Sequence, residues 1–142
     1  MKIMKILQSV TWMSLLFLGL ARAEIAVVGN PALGVDTLSK SQVKMLFLGK
    51  TSRLPDGSPV TVVDQDEGSA TREAFGKQVL RKNVSQMKAY WSRMIFSGKA
   101  TPPRTVADDA AVRDWVARTA NGIGYLDASQ VDDSVKILLK VP

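Results

Sequence analysis

Ile25-Ala26-Val27-Val28 is an unbroken apolar run, closed by Asn30-Pro31 and Gly34. That pattern predicts a strand covered on both faces, as in a parallel sheet. Val43, Leu46 and Phe47 then recur at helical spacing behind Ser39 and Ser41, either of which can cap a helix. Gly49 and Lys50 suit its end, because glycine accepts a left-handed cap and a cation suits the negative end of the helix. Pro55-Asp56-Gly57 marks a turn, and Val60-Thr61-Val62-Val63 reads as a second short strand.

The loop 64–71 leads into a helix with Ala74, Phe75, Val79 and Leu80 on one side. A further helix is expected from about Ser85, with Met87, Trp91, Met94 and Ile95 as its core face. Ile95-Phe96-Ser97-Gly98-Lys99 echoes Leu46-Phe47-Leu48-Gly49-Lys50, which predicts two helix ends capped alike rather than an internal repeat. Thr101-Pro102-Pro103 is an extended loop. Asp108 and Asp109 fall in the first turn of another helix, with Ala111, Val112, Trp115, Val116 and Thr119 inward and Asn121-Gly122 as its stop. Ile123-Gly124-Tyr125-Leu126 is a third strand. In a final, half-exposed strand Val135, Ile137, Leu139 and Val141 alternate with Lys136, Leu138 and Lys140. Strands alternating with helices predict an α/β sheet covered by helices, and no linker divides residues 24–142.

The first residues follow another logic. Lys2 and Lys5 precede the apolar run Val10–Leu20, and Ala21-Arg22-Ala23 supplies a small–x–small cleavage pattern. This predicts a signal peptide over 1–23, export to the periplasm or beyond, and no membrane span after cleavage. The chain has 142 residues and contains neither cysteine nor histidine, which removes thiol nucleophiles, disulfides, the usual zinc sites and histidine-based triads. Its net charge of +6 is unevenly placed: between Arg72 and Arg104 eight basic residues face Glu73 alone. That segment is read as solvated helix faces, or else as a surface that attracts anions. Nucleic acid is not an expected partner of an exported chain.

The stretch Glu67-Gly68-Ser69-Ala70-Thr71-Arg72 lies between a strand and a helix. Such a junction aims free backbone N–H groups at one spot, which favours an oxyanion. Gly68 keeps the approach open, Ser69 and Thr71 offer hydroxyl donors, and Arg72 offers a charged fork. Ser69 can equally be a plain N-cap, and Arg72 a surface residue. Asp64, Asp66 and Glu67 read as solvated or capping acids rather than catalytic ones, so neither an enzyme nor a metal or other cofactor is expected.

Gly-Ser-Ala-Thr-Arg-Glu-Ala-Phe (68–75), after its strand and acidic turn, resembles the Gly-Ser-Gly-Thr-Arg loop of the periplasmic phosphate-binding proteins of ABC transporters. Leu38–Val43 with Leu46–Lys50 resembles that family's helix before a Phe-x-Gly turn, and Gly122-Ile123-Gly124-Tyr125 its late strand. Tyr90–Arg93, Ile95–Lys99 and Pro102-Pro103 are similar to stretches of small, stand-alone exported members. The resemblance runs from about Ile25 to Val141. It implies an α/β, type II periplasmic-binding-protein-like lobe, partial at its N-terminal side relative to the full two-lobed fold. It also implies inorganic phosphate or a similar oxyanion as ligand, held by Ser69, the amide of Ala70 and Thr71, beside Gly68 and Arg72. Two positions depart from the family: Ala70 stands where glycine is usual, and Gln65 where an arginine commonly meets the anion. The alternative reading is a periplasmic interaction module with a vestigial anion pocket, whose partner is another envelope protein or a second copy.

Overall fold

The computed structural model describes residues 24–142, so the expected signal peptide lies outside the described residues. Five strands form one mixed sheet: β1 (Ile25–Gly29), β2 (Thr61–Gln65), β3 (Arg104–Val106), β4 (Gly122–Asp127) and β5 (Lys136–Val141), in the order β3-β2-β4-β1-β5. Four α-helices accompany them: α1 (Lys40–Phe47), α2 (Ala70–Phe75), α3 (Val84–Phe96) and α4 (Asp109–Arg118). A π-helical turn, Gly76–Leu80, continues α2. Among the described residues no helix is long and apolar enough to cross a membrane.

β1 is buried along its whole length, as its apolar run predicts, but it is not a parallel strand. It runs antiparallel to both neighbours, with Ile25 opposite Asp127 on β4 and Val141 on β5. Helices on both faces of the sheet, not parallel pairing, explain the unbroken apolar run. Ile25 and Val27 join Phe47, Phe75, Trp91 and Tyr125 on one side. Ala26 and Val28 join Val112, Val116 and Leu126 on the other, under α4. The parallel pairs are β2 with β3 and β2 with β4.

Ser39 caps α1, accepting from the Gln42 amide while Gln42 Oε1 accepts from the Ser39 amide. α1 and α3 end in the same way. The amides of Gly49 and Lys50 bond the carbonyls of Leu46 and Met45, and those of Gly98 and Lys99 bond the carbonyls of Ile95 and Met94. Both glycines have positive φ, near +70°, which is why the two sequences echo each other. Tyr90 ties the helices together, donating from its hydroxyl to the Leu48 carbonyl at 2.6 Å.

Three expectations need correction. Tyr90 and Trp91 are the buried residues of α3, with Met87 and Met94 packed beside them, whereas Ile95 is 55% exposed. α3 meets the end of α1 through Tyr90, on the Leu48 carbonyl, and Trp91, beside Gly49, so only part of its apolar stripe finds cover. In β5 the buried residues are Leu138 and Val141, while Ile137 is exposed. A bulge opposite Val27 and Val28 shifts the alternation there. Arg104–Val106, directly after the extended loop at 101–103, adds a short parallel edge strand that three residues are too few to signal by period.

Candidate functional site

β2 ends at Gln65 and α2 begins at Ala70, so the intervening turn sits at the carboxyl end of a parallel strand. Gly68 makes the turn possible: its φ of +91° is open to glycine at little cost, and the Ser69 amide closes back on the Asp66 carbonyl at 3.2 Å. Ser69 is the N-cap of α2, its Oγ accepting from the Arg72 amide at 3.1 Å. The amides of Ala70 and Thr71 are the first two of the helix and have no acceptor within it.

The structure brings the sequence-predicted residues together, with both hydroxyls and one guanidinium nitrogen already engaged. The Ser69 hydroxyl donates to Gln65 Oε1. The Thr71 hydroxyl donates to Asp109 Oδ2 at 3.3 Å. Arg72 folds back over the strand end, donating from Nη1 to the Gln65 carbonyl at 2.7 Å with Nη2 3.9 Å from Asp64. Gln65, only 1% exposed, is the hub. Its Nε2 donates to Asp109 Oδ1 at 2.7 Å and to the Tyr125 carbonyl at 3.0 Å.

Asp109 is the residue that sequence reasoning missed. Its place in the first turn of α4 marked it only as a favourable helix charge, yet the fold sets its carboxylate against the Thr71 hydroxyl. No spacing rule joins residues so far apart in sequence. The signal available was the unusual Gln65, whose amide needs a buried acceptor.

Beneath the loop, Asp64 accepts the Tyr125 hydroxyl and the Gln65 amide. Burial pushes the Tyr125 phenol far above its usual pKa, and the Asp64 carboxylate adds to that. Tyr125 therefore stays a neutral donor. Phe75 stacks on its ring at 3.9 Å between centroids, and Phe47 meets both edge-on. This aromatic trio joins α1, α2 and β4.

A cleft of about 400 Å³ opens beside the loop, between α2 with its π turn and α3. Gly68, Ser69 and Arg72 line it, whereas Ala70 and Thr71 do not. Among the described residues no group of acids could hold a metal ion. The arrangement suits recognition of a polar or anionic group.

No family model matches the chain. Over 127 residues it is 29% identical to the phosphate-binding protein PstS of Bacillus subtilis, an alignment covering 81% of this chain and 37% of that protein. Among solved structures it is similar to a putative phosphate ABC transporter substrate-binding protein of Clostridium perfringens, determined with bound phosphate. There the TM-score is 0.62 and the identity 24%, covering 82% of this chain and 45% of that one. An ABC-type phosphate transport receptor of Vibrio cholerae gives a TM-score of 0.64 at 19% identity, covering 82% and 46%. The fold is thus the α/β architecture of phosphate-binding-protein lobes, and the chain spans less than half the length of these relatives.

Proposed function

We propose that residues 24–142 form one exported solute-binding domain that takes phosphate, or a similar oxyanion, at the Gly68–Arg72 loop. The observation that carries this reading is the β2–α2 junction. The free amides of Ala70 and Thr71, the hydroxyls of Ser69 and Thr71 and the Arg72 guanidinium are gathered within one turn. The likeness to phosphate-binding proteins over about four-fifths of the chain supports it. Binding requires Thr71 and Ser69 to turn their hydroxyls from Asp109 and Gln65 to the anion. Asp109 then favours an anion that carries a proton, since a protonated phosphate can donate where sulfate would only repel.

Titration calorimetry of the purified protein with phosphate, and with sulfate as control, tests the proposal. Saturable heat with phosphate is expected, weakened about tenfold in Thr71→Val and Arg72→Ala, a change of about 1.4 kcal/mol each. No heat at millimolar phosphate would overturn it.

A second reading, an envelope interaction module, is favoured by one observation. The side chain of Phe96 is 95% exposed, beside Ile95 at 55% on the same helix. On that reading the protein pulls down an envelope partner, or self-associates, through this apolar pair. Recovery of nothing at low salt, with a monomer in size exclusion, would remove it.

A further inference from the structure

We propose that the exposed face of α3 docks on an anionic lipid bilayer, with Phe96 entering the headgroup layer and the cations around it meeting lipid phosphates. The inference does not depend on the oxyanion loop. It gives the exposed pair Ile95 and Phe96 a lipid rather than a protein partner.

The two echoed helix ends point to it. Phe47 and Phe96 hold the same place, before Leu48-Gly49-Lys50 and Ser97-Gly98-Lys99. Both glycines make the same cap, so capping does not call for a bare aromatic ring. Yet Phe47 is 2% exposed and Phe96 95%. The corner on which Phe96 stands is open: a Cβ on Gly98 would meet nothing within 4 Å. At about 3.6 residues per turn, Ser85, Ala89 and Ser92 share the face of Phe96, and all are exposed. Their short side chains leave the ring as the one large projection on that line. Arg93 flanks the line on one side, and Lys88 and Ile95 flank it on the other. The buried Tyr90 and Trp91 lie on the opposite side of the helix.

Charge selects the occupant. No acid occurs in residues 74–107 or 39–50. Among the described residues Lys50, Arg93 and Lys99 form no ion pair, and Lys88 reaches Glu67 only at 3.8 Å, with both side chains more than half exposed. The end of α1 lies beside that of α3, since a Cβ on Gly49 would stand 3.0 Å from the Ala100 Cβ. Lys50 and Lys99 each adjoin that contact. A second copy docked face to face across a two-fold axis would set these cations against themselves. An anionic bilayer matches them, and long basic side chains reach its phosphates while the ring is immersed. A fluid interface also takes a lone projecting ring without the preformed pocket that a folded partner must supply.

Vesicle co-sedimentation of residues 24–142, which hold all five strands and both apolar clusters, tests the proposal. The vesicles are phosphatidylcholine alone, or phosphatidylcholine and phosphatidylglycerol in equal parts. Binding to the mixed vesicles is expected to be at least about tenfold tighter, and to weaken as salt rises. Phe96→Ser is expected to cut it about tenfold. Arg93→Gln combined with Lys99→Gln is expected to cut it by about tenfold or more, because each basic residue at an anionic surface contributes several-fold. All three positions are exposed, and circular dichroism checks that the variants fold. Equal binding to both vesicles, or binding to neither, overturns the proposal. Unchanged binding in either variant overturns it too, since the contact would then lie elsewhere. A dimer or an envelope protein held through Phe96, with no vesicle binding, would replace the lipid surface by a second copy or a protein partner. Neither variant alters the Gly68–Arg72 loop, so phosphate calorimetry separates failure here from failure of the oxyanion reading.

Discussion

Gly124→Ala is the sharpest test of how the sheet supports the site. Gly124 lies on β4, one residue before Tyr125, where α4 crosses the sheet. A Cβ there would stand 2.6 Å from Val112 Cγ1, 2.9 Å from Val63 Cγ1 and 3.2 Å from Val116 Cγ2. All three neighbours are β-branched and fully buried, so none can swing aside by changing a rotamer cheaply. α4 must lift, at the cost of about 1–3 kcal/mol usual for overpacking a core. Alanine is the stiffer residue in the unfolded chain and returns about 0.4–1 kcal/mol. The expected net loss is therefore about 1–2 kcal/mol, or a fall in Tm of about 4–8 °C for a domain of this size. Urea unfolding followed by tryptophan fluorescence measures it. The cause is checked by Val112→Ala, which removes the closest methyl. In the double variant part of the Gly124 penalty should vanish, a coupling of about 1 kcal/mol. A Gly124→Ala protein as stable as the parent, or strictly additive variants, would refute the close-packing argument.

Asn30 is 8% exposed and donates to the carbonyls of Val116 and Ala117 at the end of α4 while accepting from the Ala32 amide. Asn30→Ala should cost about 1–3 kcal/mol in urea unfolding, since it orphans those groups. Asp109→Asn should narrow the preference for phosphate over sulfate about tenfold in calorimetry, because a charge a few ångströms from an anion is worth about 1–4 kcal/mol between water and a protein surface. An unchanged ratio would mean that Asp109 does not face the anion. The Ser129 hydroxyl and amide hold the Asp127 carboxyl below its usual pKa. A lowered folded-state pKa adds stability above the usual carboxylate value and loses it as pH falls through the folded one. Ser129→Ala should therefore raise the Asp127 pKa in an NMR titration and remove that acid-sensitive contribution.

Local chemistry made much of the fold readable. Ser39 with Gln42, and the paired Gly49 and Gly98 ends, satisfy helix termini within a few residues, so they show in sequence as well as in space. Gly68 is explained by its own φ. What depended on a distant neighbour was not legible. The exposure of Ile95 follows from how few residues of α3, chiefly Tyr90 and Trp91, reach the core, and the displaced alternation of β5 from a bulge set by its pairing with β1. Antiparallel and parallel neighbours leave the same mark on β1, because the burial that produces its apolar run comes from helices. The candidate site divides in the same way. The Gly68–Arg72 run stood out, but Asp109 reaches it only because β2 and α4 meet at one end of the sheet.

That meeting changes what the charge pattern of the chain means. The sequence sets an acidic turn, Asp64 to Glu67, against a strongly basic middle segment, which read apart suggest a repelled anion and an anion-seeking surface. Folded, each cancels part of the other: Arg72 lies against Asp64 and Lys88 against Glu67. The pairs are partly or largely exposed, so each contributes little to stability. Their larger effect is on the field at the loop, where two acids are offset while Asp66 and Asp109 stand outside any ion pair among the described residues. On the proposed reading, an anion at Thr71 therefore meets two uncompensated carboxylates rather than four, with Asp109 the one bonded to the Thr71 hydroxyl. Whether it is held turns on a proton it can share with Asp109, and on Arg72 exchanging the Gln65 carbonyl for a charged partner of its own.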